Sequence, residues 1–232
     1  MKRFLSLICL VLALLLLASC ARAPKPERVS DEELIQLREK YPYWSVEPPP
    51  MVSCDYTSLQ SCPDYMERAQ TTDVAVVEIL GDLQMEATSS SPFGDARANE
   101  AIGAVSFCGL FIPCRIVEVL YGGEKLTAGD EIPLFFASNL TVSPESLECY
   151  HIGQRYLCFL EDMEGKTRAY KTENFYRAAT HSSFYLSDGE VLLSIEDKLE
   201  WIDECSGMYL DTFERALPAM MDPGPDAEIT DP

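Results

Sequence analysis

Short apolar runs separated by turn residues restrict the fold of this chain more than any other feature. Residues 73–80 are rich in β-branched side chains and end at Gly81, which predicts a strand. The pair Asp188-Gly189 lies between two apolar runs and predicts a tight β-hairpin. Closely spaced strands with turns between them are typical of a β-barrel or a β-sandwich. Further strands are predicted at 104–120 (as two strands divided near 109–113), 131–136, 155–161, 167–171, 183–186 and 191–195.

Two helices are expected to flank these strands. Ser30 followed by Glu33 fits a capping box, and the helix that it begins is expected to reach about Lys40. The second helix is expected at 209–217 and to be ended by Pro218. The sequence therefore predicts a mainly β domain with a short N-terminal and a short C-terminal helix.

The strand predicted at 155–161 is apolar on both faces. Tyr156, Cys158 and Leu160 alternate with Leu157 and Phe159. A strand of this kind is expected to be buried on both sides. We therefore expect a helix to cover one face of the sheet at this strand.

Three segments are predicted to lie outside the strands. Residues 31–72 hold the N-terminal helix and a segment rich in proline and aromatic residues. Residues 82–103 are polar and small and predict a long loop, which in proteins is usually functional or disordered. Residues 221–232 are acidic and predict a disordered tail.

The amino-terminal segment has the order of an export signal. Lys2 and Arg3 precede an apolar run that is short for a membrane span, and Leu17-Ala18-Ser19-Cys20 follows it. These four residues resemble the lipobox of bacterial lipoproteins. The resemblance implies a signal peptide at 1–19, diacylglycerol on Cys20, and a lipid-anchored tether at 20–30. The alternative is an ordinary secretory signal that happens to end in cysteine. Two acyl chains hold a protein stably to a membrane.

The net charge excludes one class of partner. Loss of Lys2 and Arg3 with the leader leaves 16 basic against 38 acidic residues, a formal charge of −22. Nucleic-acid binding needs a basic surface that neutralises phosphates, and this composition does not provide one. This acidity has three interpretations: it serves only solubility, it attracts a basic partner, or it binds cations loosely.

Seven cysteines remain after the leader and the lipid are set aside, and seven is odd. The expected disulfide joins Cys54 and Cys62 across a short polar loop. Cys158 lies in an apolar run and is expected to be either paired or a buried free thiol. No CxxC spacing occurs, and the pair Cys149-x-His151 is weak evidence for a metal, so neither a metal nor a cofactor is predicted.

No catalytic residue is predicted. The chain has no Gly-x-Ser-x-Gly and no His-Glu-x-x-His motif, and Cys149 near His151 is a thiol and imidazole pair with nothing to orient it. The carboxylates of Glu161, Asp162 and Glu164 are expected on a solvated turn.

The candidate binding surface consists of aromatic residues beside prolines, namely Tyr41, Tyr43 and Trp44. The alternative is that these rings cover a core. If the rings are buried, the loop at 82–103 becomes the leading candidate for a binding site.

Four segments give the chain a resemblance to a known group of proteins. They read Asp-Val-Ala-Val-Val-Glu, Cys-Arg-Ile-Val-Glu-Val-Leu-Tyr-Gly-Gly, Leu-Thr-Ala-Gly-Asp-Glu-Ile and Ile-Gly-Gln-Arg-Tyr-Leu-Cys-Phe-Leu. They resemble a loose group of uncharacterised bacterial surface lipoproteins over residues 73–220. The resemblance implies a small twisted OB-like barrel, similar to the netrin-like modules of tissue inhibitors of metalloproteinases. Tyr121 replaces the group's usual lysine, and the Cys-x-Cys amino terminus of true inhibitors is absent.

The expected function is that of a lipid-anchored extracytoplasmic module that binds an unknown protein or envelope ligand. The alternatives are a cell-envelope hydrolase and a structural envelope protein.

Overall fold

The computed structural model describes residues 27–44, 61–87, 108–137, 144–166 and 170–221. Within them lie four α-helices, two 3-10 turns and eight strands. The helices are α1 (Asp31–Lys40), α2 (Cys62–Ala69), α3 (Glu200–Cys205) and α4 (Leu210–Met221). The strands are β1 (Asp73–Ile79), β2 (Gln84–Ala87), β3 (Cys108–Tyr121), β4 (Glu131–Ala137), β5 (Arg155–Asp162), β6 (Tyr176–Arg177), β7 (Phe184–Leu186) and β8 (Leu192–Ser194).

Five strands close into a barrel in the order β1-β3-β4-β6-β5, and the pairing of β1 with β5 completes the ring. The β4–β6 pair is parallel and the other pairs are antiparallel. β7 and β8 extend the sheet from β5, and β2 adds to β3. A five-stranded barrel with this crossover is OB-like. The predicted fold class, a small β-barrel with flanking helices, is confirmed.

The barrel interior is apolar because alternate residues of each strand point inward. From β3 these are Leu110, Ile112, Cys114 and Ile116, all at most 2% exposed. Tyr156, Cys158 and Leu160 of β5 join the same cluster. Cys158 is therefore a buried free thiol, one of the two states that the sequence left open.

The other side chains of β5 lie beneath the helices. Leu157 and Phe159 pack in a second cluster with Trp201 of α3 and Phe213 of α4. The expected helical cover over one face of this strand is confirmed. Each fully buried ring or branched chain contributes about 1.5–3 kcal/mol through the hydrophobic effect, so this helical layer belongs to the core of the domain.

The first helix begins and ends where the sequence predicts. The Ser30 side chain accepts a hydrogen bond from the backbone N–H of Glu33, as a capping residue does. The helix ends at Lys40, and Tyr41 caps it by donating its backbone N–H to the Leu37 carbonyl.

The prediction of two strands at 104–120 was wrong for the residues that are described. β3 runs without a break from Cys108 to Tyr121. Pro113 stands opposite Pro133 of β4, so the two missing N–H donors fall on one pair of residues. The Pro113 carbonyl still accepts a hydrogen bond from the Leu80 N–H at 2.9 Å.

Other elements differ from the sequence-based expectation. α2 was not predicted, although Ser61 caps it and Pro63 lies in its first turn. β2 forms at the start of the segment expected to be a loop. Helix α4 continues past Pro218 to Met221, and the last two methionines pack against the second cluster.

Several expectations concern residues outside the described part of the chain. They are the signal peptide at 1–19, the lipidation of Cys20, the disulfide partner Cys54, most of the loop at 82–103 and the tail from residue 222. In the described part, no helix has both the length and the apolarity that crossing a membrane requires.

Candidate functional site

The aromatic segment after α1 does not form one exposed surface. Tyr41 is 5% exposed and lies in the barrel core, where its ring centroid is 5.6 Å from that of Tyr185. Trp44 is half-buried and packs against the same core, and its backbone N–H donates to the Ile195 carbonyl at 2.7 Å. Only Tyr43 is substantially exposed, at 41%.

Arg38 explains why the aromatic segment lies where it does. Its guanidinium donates to the Ser194 carbonyl at 2.8 Å, to the Ser194 hydroxyl at 2.7 Å and to the Ser206 hydroxyl at 2.6 Å. The same group lies 3.7 Å from the centroid of the Tyr43 ring. The Tyr43 hydroxyl donates to Asp203 at 2.6 Å. Burial lowers the pKa of Arg38, and the charges of Tyr43 and Asp203 oppose that effect.

These contacts form a clamp, defined here as Arg38, Tyr43, Ser194, Asp203 and Ser206. It fastens α1 to β8 and to the end of α3. The rings of Tyr41 and Trp44 cover the barrel, which is the alternative that the sequence left open. Tyr43 is used within the clamp.

An open groove of about 380 Å³ lies at one end of the barrel. Three side chains from the core form its apolar floor: Ile112 of β3, Leu147 and Tyr150. Its rim carries two exposed residues from the connection before β5, His151 and Ile152. A concave apolar surface with a few polar groups is the usual form of a ligand site.

Carboxylates mark two sides of the groove rim. Asp82 follows β1, and Glu148 follows the 3-10 turn Pro144–Leu147. Both side chains are exposed, and neither takes part in an ion pair with another described residue. Ile152 is 59% exposed beside them. The groove therefore combines negative charge with accessible apolar area.

Tyr156 holds the groove wall in place. Its hydroxyl donates to the Cys149 carbonyl and accepts from the His151 N–H, both at 2.8 Å. The next turn is fixed by the Gly153 N–H, which donates to the Ile79 carbonyl at 2.8 Å. Burial raises the pKa of Tyr156, so its hydroxyl keeps the proton that it donates. The rim residues are thus supported from inside the barrel.

The pair Cys149 and His151 lies in turns before β5. The Cys149 side chain is fully buried, whereas His151 is exposed. Burial raises the pKa of the Cys149 thiol, and the charge of Glu196 raises it further. A nucleophilic cysteine needs a thiolate and access to substrate. The geometry therefore gives this thiol neither of the two properties that catalysis requires.

The expectation of a solvated turn for the carboxylates near residue 161 was wrong for Glu161. This side chain is 4% exposed, and its oxygens lie 2.9 Å from Lys166 Nζ and 2.5 Å from Arg177 Nη2. The cause is the pairing of β5 with β6, which places Arg177 directly opposite Glu161. Asp162 lies near the surface, where its carboxylate accepts a hydrogen bond from Lys125 Nζ at 2.6 Å. The Glu164 carboxylate accepts from the same Nζ at 2.7 Å.

Five cysteines whose side chains the structure describes are free and buried: Cys62, Cys114, Cys149, Cys158 and Cys205. Because Cys54 lies outside the described residues, its pairing with Cys62 stays a prediction. Among the described residues, no group of three or more His, Cys, Asp or Glu side chains is placed to hold a metal ion.

Sequence reasoning did not identify the groove. Asp82 and Leu83, which line it, belong to the segment that was the second candidate for a binding site. The next residues of that segment form β2. Apart from Gly81, the remaining lining residues come from two separate places in the chain, β3 and residues 144–152, and no local pattern connects them.

Comparison of the chain with models of protein families, with curated proteins and with solved structures finds no match.

Proposed function

We propose that this protein is an extracytoplasmic lipoprotein, anchored by diacylglycerol on Cys20, that binds a partner in the groove beside His151. The leader that ends in Leu17-Ala18-Ser19-Cys20 supports the anchor. The groove supports the binding role, and it is the single observation on which that role depends.

The chemistry of the groove favours a positively charged, partly apolar segment of another envelope protein. Asp82 and Glu148 on the rim attract a cation, and Ile152 with the floor residues accepts an apolar side chain. The mature chain as a whole carries a formal charge of −22. A field of this sign speeds the approach of a basic partner and repels an acidic one.

The anchor is tested by Cys20→Ala in the full-length chain. We expect the variant to leave the membrane fraction, because it lacks the thiol to which diacylglycerol is attached. The measurements are fractionation of host cells and the intact mass of the purified protein. A Cys62→Ala variant, which keeps the lipid, is the control. Membrane retention of the Cys20→Ala protein would contradict the proposed anchor.

The groove is tested with two synthetic peptides that alternate apolar residues with either lysine or glutamate. Fluorescence anisotropy measures their affinity for the lipidated protein in detergent micelles. We expect binding of the lysine peptide only. The double variant Asp82→Asn/Glu148→Gln should lower that affinity by about two- to thirtyfold, since each of the two exposed ion pairs contributes about 0.2–1 kcal/mol.

Glu124→Gln is the matched control, because this exposed carboxylate lies in the turn after β3 and away from the groove. It should leave the affinity unchanged. Equal affinity of the two peptides, or an equal effect of the control and the double variant, would contradict the proposed ligand chemistry.

A further inference from the structure

The first described residues of the chain are bound to the domain. The Val29 N–H donates to the Gly207 carbonyl at 2.9 Å, and Arg28 forms a β-bridge with Met208. The Arg28 guanidinium also donates to the Ser206 carbonyl at 2.5 Å. We call residues 27–30 the strap. Together with the clamp at Arg38, it fixes the start of the chain to one place on the domain.

The strap leaves a short connection to the proposed lipid. Only residues 21–26 separate Cys20 from Glu27. An extended chain of this length spans at most about 25 Å. If Cys20 is lipidated, the surface that holds Glu27 cannot lie farther than this from the bilayer interface.

The strap and the groove lie at the same end of the barrel. Tyr209, next to the strap, bridges to Val191 at the start of β8, and the Leu210 N–H donates to the Glu190 carbonyl at 2.8 Å. Glu190 lies 3.7 Å from Arg155, the first residue of β5. The groove residues His151 and Ile152 precede that strand by a few positions.

The opposite end of the barrel carries other turns. The end of β3 pairs with the start of β1, so Gly122 and Glu124 follow at that end. Asp162 ends β5 there and accepts from Lys125. A strand of the length of β5 measures about 25 Å. The two ends of the barrel therefore differ in height by about this amount when the barrel stands on the strap end.

We infer that the strap orients the domain with the groove end toward the bilayer, so that the groove meets partners held at the membrane surface. The inference rests on the proposed lipidation of Cys20. It narrows the partner to a basic, apolar segment of a membrane-held protein. The acidity of the domain disfavours anionic lipid headgroups as the occupant.

Energy transfer tests the orientation. A fluorescent non-canonical amino acid replaces either Asp188, in the exposed turn at the strap end, or Glu124, at the opposite end. The full-length lipidated protein is placed in phosphatidylcholine vesicles that contain a short-range acceptor on the lipid headgroup. We expect at least about twofold more transfer from position 188, because the two positions differ in height by about one strand length.

A Gly/Ser insertion of about twelve residues between Pro24 and Lys25 is the control, since a flexible linker removes the constraint. It should bring the two transfer signals close to each other. Equal transfer in the unmodified tether, greater transfer from position 124, or a difference that survives the insertion would overturn the orientation.

The outcomes separate the orientation from the anchor. Protein that lacks the lipid mass and does not sediment with the vesicles contradicts the proposed anchor and therefore the orientation as well. Protein that sediments but gives equal signals contradicts the orientation alone. Addition of about one-third phosphatidylglycerol to the vesicles, without peptide, tests the occupant: a rise in transfer from position 188 that phosphatidylcholine alone does not give would identify the headgroup as the ligand and overturn the protein partner.

Discussion

The aromatic segment Tyr41 to Trp44 and the groove beside His151 differ in how their side chains are used. The aromatic segment has a strong sequence signature, yet its rings cover the core or stack on Arg38, and its polar atoms join the clamp. The groove has no sequence signature, yet it exposes Ile152 and two carboxylates that no described ion pair uses. Internal contacts, and not residue type, therefore decide which surface remains available to a partner.

The largest expected effect separates the two regions by stability. Tyr41→Ala should lower the free energy of unfolding by about 3–5 kcal/mol, because it leaves a cavity against Tyr185 in the core. Ile152→Ser should change it by less than about 0.5 kcal/mol, since the side chain is exposed. Urea denaturation followed by circular dichroism measures both. Similar losses in the two variants would show that Tyr41 is not part of the core.

The clamp should contribute the next largest effect. Arg38→Ala removes four hydrogen bonds and the contact with Tyr43, and we expect it to cost about 2–4 kcal/mol. Arg115→Ala is the matched control. Arg115 is 45% exposed and pairs with Glu78 and Glu131 at the surface, so its loss should cost less than about 1 kcal/mol. An equal cost in the same denaturation assay would show that the clamp does not hold α1.

His181 is expected to make the stability of the fold depend on pH. Burial lowers the pKa of His181 from 6.5 to about 4, and the charge of Glu196 opposes this shift. Between these values the unfolded chain binds the proton and the folded chain does not, so stability falls as the pH decreases from about 6.5 to 4. His181→Gln should flatten this part of the profile of unfolding free energy against pH. Ile152→Ser, which removes no titratable group, should keep the slope of the unmodified protein; an unchanged slope in His181→Gln would contradict the effect.

Sequence patterns predicted those parts of the fold that depend on neighbours along the chain. The Ser30 cap, the Asp188-Gly189 turn and the doubly apolar β5 are local signals, and the structure contains each of them. Pro113 predicts a break in the strand, but β3 tolerates it because Pro133 lies opposite it across the sheet. Glu161 was assigned to solvent because its partner Arg177 comes from a strand of two residues.

The groove is the clearest case of information that the sequence does not display. Its floor and rim combine residues from the connection between β1 and β2, from β3 and from the turns before β5. Their meeting depends on barrel closure by the β1–β5 pair, and that pairing is a long-range contact. The aromatic residues, in contrast, form an evident pattern because they are adjacent in sequence. This adjacency does not place them together on an exposed surface.

Binding in the groove can be mapped by the backbone amide chemical shifts of the isotopically labelled full-length protein during titration with the lysine peptide. We expect the largest changes at Gly81, Leu83, His151 and Ile152, with small changes at Tyr41, Tyr43 and Trp44. Changes that cluster at the three aromatic residues, or at the Gly122 end of the barrel, would contradict binding in the groove.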